Sequence, residues 1–288
     1  MGNIEVEGAN CLVTGGSGFI GRHLVNRLIA LGARVFVVDT EPYTNIRIEN
    51  PVCYYGNVAA GCKFKGTYTV VFHLAAVARV LFAENNVETT VRTNVLGARY
   101  VFNQFPRTRI VFTSSREVYG EKDHAVSELS ATFPKNLYGM TKLFGEQQIA
   151  TLCSNHAIAR LSSVYGSGDK DRVIPSWIKD ARASAPLVVF GSKTLDFVYI
   201  DDVVDALIGL GFSNYIGPMN IGSGQAYTLK DVAEKIVEFT GSNSNVVEHP
   251  CRNDLEPRYN VLDIGLMQSE LGINPCTDYT QLRKLCCL

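Results

Sequence analysis

TGGSGFIGRHLV, residues 14–25, stands where the short apolar run NCLVT gives way to helical spacing. Gly15, Gly18 and Gly21 fall on a GxxGxxG pattern. Without side chains at these positions the chain can turn sharply out of a strand, present backbone N–H groups to a pyrophosphate at a helix N-terminus, and pack that helix closely on the strand. Glycines alone also fit a purely structural turn. The next apolar run, RVFVVD, argues for the ligand, because it ends in Asp39, about 20 residues on, where a carboxylate can accept both hydroxyl protons of an adenosine ribose. The same carboxylate would repel a 2′-phosphate, so NAD is expected rather than NADP.

Short runs rich in Val, Ile and Phe recur beyond this turn: VCYYG, VVFHLA, RIVFTS and AIARLSSVYG. Their apolarity is continuous rather than alternating, as in strands covered on both faces. Helical spacing separates most of them, at 19–31, about 86–104 and 137–153, whereas the link 57–69 is too short and Gly-rich for a good helix. Alternating strand and helix predict an α/β fold with a doubly wound parallel sheet. After about residue 166, Gly, Pro and Asp break up shorter runs such as PLVVFG and DFVYI, and helices are predicted at 174–183, 201–211, 228–240 and 263–271. The expected division is a dinucleotide-binding domain over 1–166 plus about 196–211, with a smaller mixed α/β substrate lobe from about 167–195 and 212–288.

The 288 residues are 46% hydrophobic, enough for a full core. Lys and Arg number 27 against 28 Asp and Glu, so no net field holds a polyanion and nucleic acid is not expected as a partner. No apolar run approaches membrane length and the first residues lack a signal-peptide core, which predicts a cytoplasmic protein with no membrane partner. Val6 stands where a myristoylation signal needs Ser or Thr, and Cys286-Cys287-Leu288 is too short for a prenylation box. Eight cysteines form no CxxC pair, which suits a reducing compartment, and five histidines have neither HxH nor HExxH spacing, so no metal is expected.

In NLYGMTKLFGEQQI, Tyr138 and Lys142 are four apart on a predicted helix and project from one face. A phenol titrates near 10, so work as a base near neutrality asks for about 4 kcal/mol of preferential phenolate stabilisation. An adjacent ammonium and an oxidised nicotinamide are both cations that can supply it. The plain alternative is an amphipathic helix with a packed Tyr and a solvated Lys. A dinucleotide turn upstream and a Ser-rich strand end favour the catalytic reading.

TGGSGFIG, HLAA at 73–76, NVLG at 94–97, SSREVYG, YGMTK, LDFVYIDD at 195–202 and NIGSG at 220–224 follow the order found in extended short-chain dehydrogenase/reductases. Over nearly the whole chain the sequence resembles NAD-dependent nucleotide-sugar epimerases and dehydratases, the UDP-glucose 4-epimerase type most of all. The resemblance implies a Rossmann-type fold, NAD as cofactor, a nucleoside-diphosphate sugar as substrate, and a homodimer paired through 86–104 and 137–153. It further implies cofactor contacts from Gly15, Gly18, Phe19, Ile20, Asp39, Asn57, Val58, Leu74, Ala75, Ala76, Thr113, Tyr138 and Lys142, with Asn94 among them holding local backbone. Ser115, Tyr138 and Lys142 would form the catalytic triad. Tyr138 would exchange a proton with the sugar O4, Lys142 would lower its pKa, and Ser115 would hydrogen-bond O4.

Alignment on VYG also puts Glu117 where the family's 4,6-dehydratases and UDP-glucuronate decarboxylases carry an active-site Glu. In a strand i and i+2 share a side, so Glu117 joins Ser115 in the site if the strand persists, and Arg116 then points away. Glu117 is either an eliminating base near C5 or a loop carboxylate paired with a nearby cation. Dehydration or decarboxylation thus stays open beside epimerisation, as does an NAD-binding protein without turnover. In the substrate lobe Leu195 replaces the arginine of the family's Arg-Asp-Phe, and Ser163 a common Asn. Two phosphates need charge-assisted donors, which leaves Arg252 or Arg258, with Lys193 as a point charge. Arg116 and Arg172 complete the expected substrate contacts, and Tyr227 and Trp177 are weaker candidates.

Overall fold

The computed structural model describes residues 5–43, 52–170, 172–251 and 254–288. The Val- and Ile-rich runs become parallel strands β1 (Asn10–Thr14), β2 (Arg34–Asp39), β3 (Val52–Tyr55), β4 (Val70–His73), β5 (Arg109–Ser115) and β6 (His156–Leu161). With Gly217–Ile221 they form one seven-stranded sheet, ordered 217–221, β6, β5, β4, β1, β2, β3. The chain reverses its winding direction between β1 and β4, and in such a sheet the crevice at the carboxyl ends of those strands is where ligands bind. Every residue of β5 and of β6 is buried, as their continuous apolarity implies.

Ten α-helices accompany the strands among the described residues: α1 (Phe19–Ala30), α2 (Val80–Asn85), α3 (Val87–Val91), α4 (Ala98–Gln104), α5 (Leu137–Leu152), α6 (Val173–Arg182), α7 (Ile200–Gly211), α8 (Leu229–Thr240), α9 (Gly265–Leu271) and α10 (Thr280–Cys287). Leu24, Val25 and Leu28 of α1 and Val203 and Leu207 of α7 share one core on the sheet, while Val101 and Phe102 of α4 and Ile149 of α5 share another. Each such side chain contributes about 1.5–3 kcal/mol on burial.

The continuous helix expected over 86–104 is broken. A π-helical segment, Arg92–Gly97, separates α3 from α4. It carries Asn94, whose amide is buried and engages the loop after β4, and it brings Gly97 so close to Val58 that a Cβ would sit 3.0 Å from Cγ2. The link between β3 and β4 holds only the 3-10 turn Val58–Ala60, in keeping with its glycines.

The second lobe packs α6, α8 and α10 around Trp177, Leu187, Ile236 and Leu282. Strand Gly217–Ile221 is not in it, although the sequence division put 212–288 there: its apolar residues pair with β6 and cover that edge of the large sheet. Val261, Leu262, Met267 and Leu271 likewise pack in the core of the large sheet. The turn after strand Gly217–Ile221 and Leu262 are tied together by Asp196, a fully buried carboxylate that accepts from Ser223 N (2.7 Å), Ser223 Oγ (2.8 Å), Gly224 N (3.2 Å) and Leu262 N (3.3 Å).

Candidate active site

A cleft of ≈ 1150 Å³ runs from the glycine turn, past the ends of β4 and β5, to Arg172 and Glu256. Pockets for one small ligand are commonly about 300–1,000 Å³, so this one has room for a dinucleotide and a second molecule together.

At one end lies the turn between β1 and α1. Gly15 has φ +73° and lies so near the loop after β4 that a Cβ would meet Ala75 N at 2.7 Å; a Cβ on Gly21 would meet Gly15 O at 2.1 Å. Only glycine permits either approach. Asp39 ends β2 and orders the loops beside it, with Oδ2 accepting from Ser17 N (2.9 Å) and Oδ1 from Glu41 N (3.1 Å). Each carboxylate oxygen retains acceptor capacity toward the cleft, as a ribose diol requires. Phe19, Ile20, Asn57, Val58, Leu74, Ala75, Ala76 and Thr113 all line the same wall. This glycine cradle with a carboxylate at the end of the second strand fits NAD.

Asn94 does not line the cleft; it acts from behind it. Its Oδ1 accepts from Val77 N (2.8 Å), and its Nδ2 donates to Val77 O (3.0 Å) and Thr141 Oγ1 (3.0 Å), fixing the loop after β4 to α5. His73 is a packing residue. Its Nδ1 lies 2.7 Å from Thr14 Oγ1, its ring stacks on Phe112, and burial pulls it down to about 3, which leaves the imidazole neutral.

The middle of the cleft is built where α5 meets the end of β5. Asn136 caps the helix, accepting from Gly139 N at 2.8 Å. Gly139 and Gly145 bring α5 onto its neighbours: a Cβ would meet Glu117 O at 2.7 Å in the first case and the Phe112 ring at 2.6 Å in the second. Tyr138 thereby stands beside Ser115 in the cleft wall. Burial holds the phenol above its usual range, and the Ser115 hydroxyl and the charges of Arg172 and Arg116 work against that, while Glu117 adds to it. Lys142 Nζ donates to Thr113 O (2.8 Å) and lies 5.9 Å from the Tyr138 ring centre. Burial pulls its ammonium down to about 7, and the carboxylate of Glu146, one turn further along, opposes that. Without a ligand, therefore, the phenol is not depressed by Lys142 as the sequence suggested, because burial outweighs every neighbouring charge.

Glu146 itself carried no signal in the sequence beyond lying four residues past Lys142. It accepts from Ser114 Oγ (2.5 Å) and takes a two-pronged ion pair from Arg160, whose Nη1 also donates to Tyr119 Oη (2.9 Å). Such a pair is well compensated, since every partner is hydrogen-bonded.

The expectation for Arg116 is corrected. β5 stops at Ser115 and a 3-10 turn, Arg116–Tyr119, begins, so strand alternation no longer applies. Arg116 and Glu117 both reach the cleft wall. Glu117 accepts from Asn136 Nδ2 (2.8 Å) and Asn260 Nδ2 (3.3 Å), and Arg116 Nε lies 3.6 Å from its Oε1.

At the far end Ser163 and Arg172 line the cleft. Arg172 Nη1 donates to Val164 O (3.1 Å) and its guanidinium lies 5.9 Å from the Phe19 ring centre. Lys193 Nζ pairs with Glu256 Oε2 at 2.5 Å. Arg258 is not in the wall; its side chain is 74% exposed, and Arg252 lies outside the described residues. Trp177 is core and donates to Val188 O (3.1 Å), while Tyr227 packs on Tyr279 and donates to Thr277 O (2.7 Å); neither lines the cleft. No helix among the described residues is long and apolar enough to cross a membrane.

Known proteins share this fold. UDP-glucuronic acid decarboxylase 2 of Arabidopsis thaliana is 28% identical over an alignment covering 94% of this chain and 66% of the relative, so the chain spans about two thirds of that protein's length. The solved structure of MoeE5 in complex with UDP-glucuronic acid and NAD superposes with a TM-score of 0.86 at 27% identity, covering 96% of each chain. UDP-glucose 4-epimerase from Thermotoga maritima, solved with UDP-glucose, superposes with a TM-score of 0.82 at 25% identity, also over 96% of each. Residues 11–211 match the profile of one family, and with it the glycine cradle, Asp39 and the Tyr138–Lys142 helix acquire a common meaning. The chain belongs to the NAD dependent epimerase/dehydratase family.

Proposed function

We propose that this chain is a nucleotide-sugar 4-epimerase acting on a UDP-hexose through a transient 4-keto sugar. NAD held by the glycine cradle and Asp39 would supply hydride exchange at the sugar C4. Tyr138 takes the proton from O4 as C4 is oxidised and gives it back on reduction, while Ser115 orients O4. The positive charges of Arg172 and Arg116 favour the phenolate over the phenol at the moment of proton transfer. One observation carries the reading: Tyr138, Ser115 and Lys142 line the same cleft as the glycine cradle.

Glu117 supports a second reading. The same oxidation could end in loss of water, or, with UDP-glucuronate, in loss of carbon dioxide. The C5–C6 bond would then break toward the C4 ketone, a proton would be delivered to C5, and hydride would return to C4. A carboxylate fixed at the cleft wall by two amides is suitably placed for proton traffic at C5, and the decarboxylases among the relatives add weight.

A homodimer through α4 and α5 belongs to this proposal, supported by the exposed apolar side chains Leu96, Met140 and Phe144. Eight free cysteines suit the cytoplasm. The test is incubation with NAD and UDP-glucose, UDP-N-acetylglucosamine or UDP-glucuronate, followed by product mass and sugar stereochemistry. A new isomer of unchanged mass is expected, with a Tyr138→Phe variant slowed by about 10²–10⁴-fold but still binding NAD in a calorimetric titration. A product lighter by carbon dioxide or water selects the second reading. No product from any of the three overturns both.

A further inference from the structure

We propose that Glu256 stands in for the diphosphate of the substrate: it holds Lys193 at the far end of the cleft and yields that ammonium to a nucleoside diphosphate when one enters. This rests on the nucleotide-sugar reading above and adds how its anion end is opened.

A diphosphate needs charge-assisted donors. At this end of the cleft Leu195 offers no charge, Arg258 is turned out to solvent, and Arg172 already donates to Val164 O (3.1 Å) with Asp169 4.0 Å from its Nε. Lys193 can supply the missing charge, but Glu256 covers it. Its Nζ lies 2.5 Å from Glu256 Oε2, and the lysine side chain is 10% exposed against 45% for the glutamate. Glu256 lines the cleft and Lys193 does not. A phosphate coming along the cleft therefore meets a like charge first. The carboxylate marks a place on the wall where an acceptor touches the ammonium. A phosphate oxygen there would replace one charge-assisted bond by another and never leave a buried cation unpaired.

The two partners differ in freedom. Lys193 is fixed by its backbone, with N donating to Gly191 O (3.1 Å) and O accepting from Leu229 N (3.1 Å) at the start of α8. Glu256 belongs to a loop whose main chain is tied on both sides of it. Leu255 O accepts from Asn136 Nδ2 (3.0 Å), Arg258 N donates to Glu121 Oε1 (2.9 Å) and Arg258 O accepts from Thr194 N (2.8 Å). Rotation of the Glu256 side chain alone thus uncovers Lys193 without unfastening the loop. A half-exposed carboxylate turned into water loses little, whereas the enclosed ammonium needs an anion at all times. That asymmetry favours the acceptor with more charge.

The test is calorimetric titration of the NAD-loaded protein with UDP, in the wild type, Glu256→Gln, Lys193→Met and the double variant. Glu256→Gln is expected to bind UDP at least about tenfold more tightly than the wild type. In the Lys193→Met background the same change should gain less than about threefold, because covering a cation requires the cation. Glu256→Gln binding UDP no more tightly than the wild type, or not at all, overturns the proposal. A larger gain in the Lys193→Met background also overturns it, since Glu256 would then act by plain repulsion. If Lys193→Met fails to bind NAD, Glu256→Asp decides, for it keeps the charge and loses the reach: tighter UDP binding than wild type supports the exchange, and unchanged or weaker binding overturns it. UDP carries no sugar, so the result is independent of the C4 chemistry. Product from a UDP-sugar without the Glu256→Gln gain would leave that chemistry standing and remove the exchange, whereas the gain without any product would do the reverse.

Discussion

Lys142 shows how the active site is bought with stability. Its ammonium is almost entirely enclosed, with Thr113 O as its one hydrogen-bond acceptor and the Phe112 ring 5.0 Å away. Burial brings its value down to about 7 from 10.5. Between those two values the unfolded chain holds the proton and the folded chain does not, so this group makes stability rise with pH over that window; below about 7 both states are protonated and its contribution is least favourable. Lys142→Met should therefore stabilise the cofactor-free protein near pH 7, by on the order of a few kcal/mol, less about 1 kcal/mol for the lost hydrogen bond, while abolishing turnover. Urea titrations at several pH values check this: the variant's advantage should shrink as pH rises toward 10.5, and a variant less stable than wild type at pH 7 would refute it. At this scale the sequence was legible where a motif's spacing places residues together, as it does for Asp39, Tyr138 and Lys142, which all line the cleft. It was silent where a role depends on a partner far along the chain: Glu146 needs Arg160 and Ser114, and Asp196 needs Ser223 and Leu262.

Among the elements, helical spacing located α1, α7 and α8 well because each turns an apolar face to the core, and it located α5 although that helix buries Thr141, Lys142, Glu146 and Gln148 along with Ile149; Asn136 and Thr228 cap α5 and α8. The stretch 86–104 misled because period measures only side-chain direction, and a π turn alters the backbone without removing helical spacing. The same limit left the direction of Arg116 open: strand alternation would turn it away, while the 3-10 turn puts it in the cleft wall among the expected substrate contacts. α10 offers just Leu282 and Cys286 as buried positions, too short a pattern to detect. Asn94 gives the π turn a measurable role. Asn94→Ala would leave Val77 N–H and C=O without their side-chain partner and detach the loop after β4 from Thr141. A loss of about 1–3 kcal/mol is expected, together with weaker NAD binding, because that loop carries Ala75 and Ala76 in the cleft wall. Denaturant unfolding and NAD titration read the two effects separately. Lost stability with unchanged NAD affinity would confine Asn94 to the scaffold.

For the molecule as a whole, the α5 face exposes neighbouring apolar side chains. Single exposed apolar residues need no explanation, but Met140 and Phe144 lie one turn apart on α5, and Leu96 lies on the π-helical segment packed beside it, each about half-exposed. Toward the N-terminal half of α5 the outward positions are thus apolar, while Gln147 and Thr151 continue the exposed stripe as polar residues. A two-fold pairing of α4 and α5 with their copies would put apolar centre against apolar centre and leave the polar positions at the rim, as stable interfaces of about 800 Å² per partner are arranged. It would also clamp α5, and with it Tyr138 and Lys142, from the side opposite the cleft. Phe144→Glu places a like charge on both partners at that centre. Sedimentation should show the wild type at twice the chain mass and the variant at the chain mass, with turnover per chain reduced in the variant because α5 is less firmly held. A wild type that sediments as a single chain at micromolar concentration would rule out the pairing and leave the α4–α5 face to solvent.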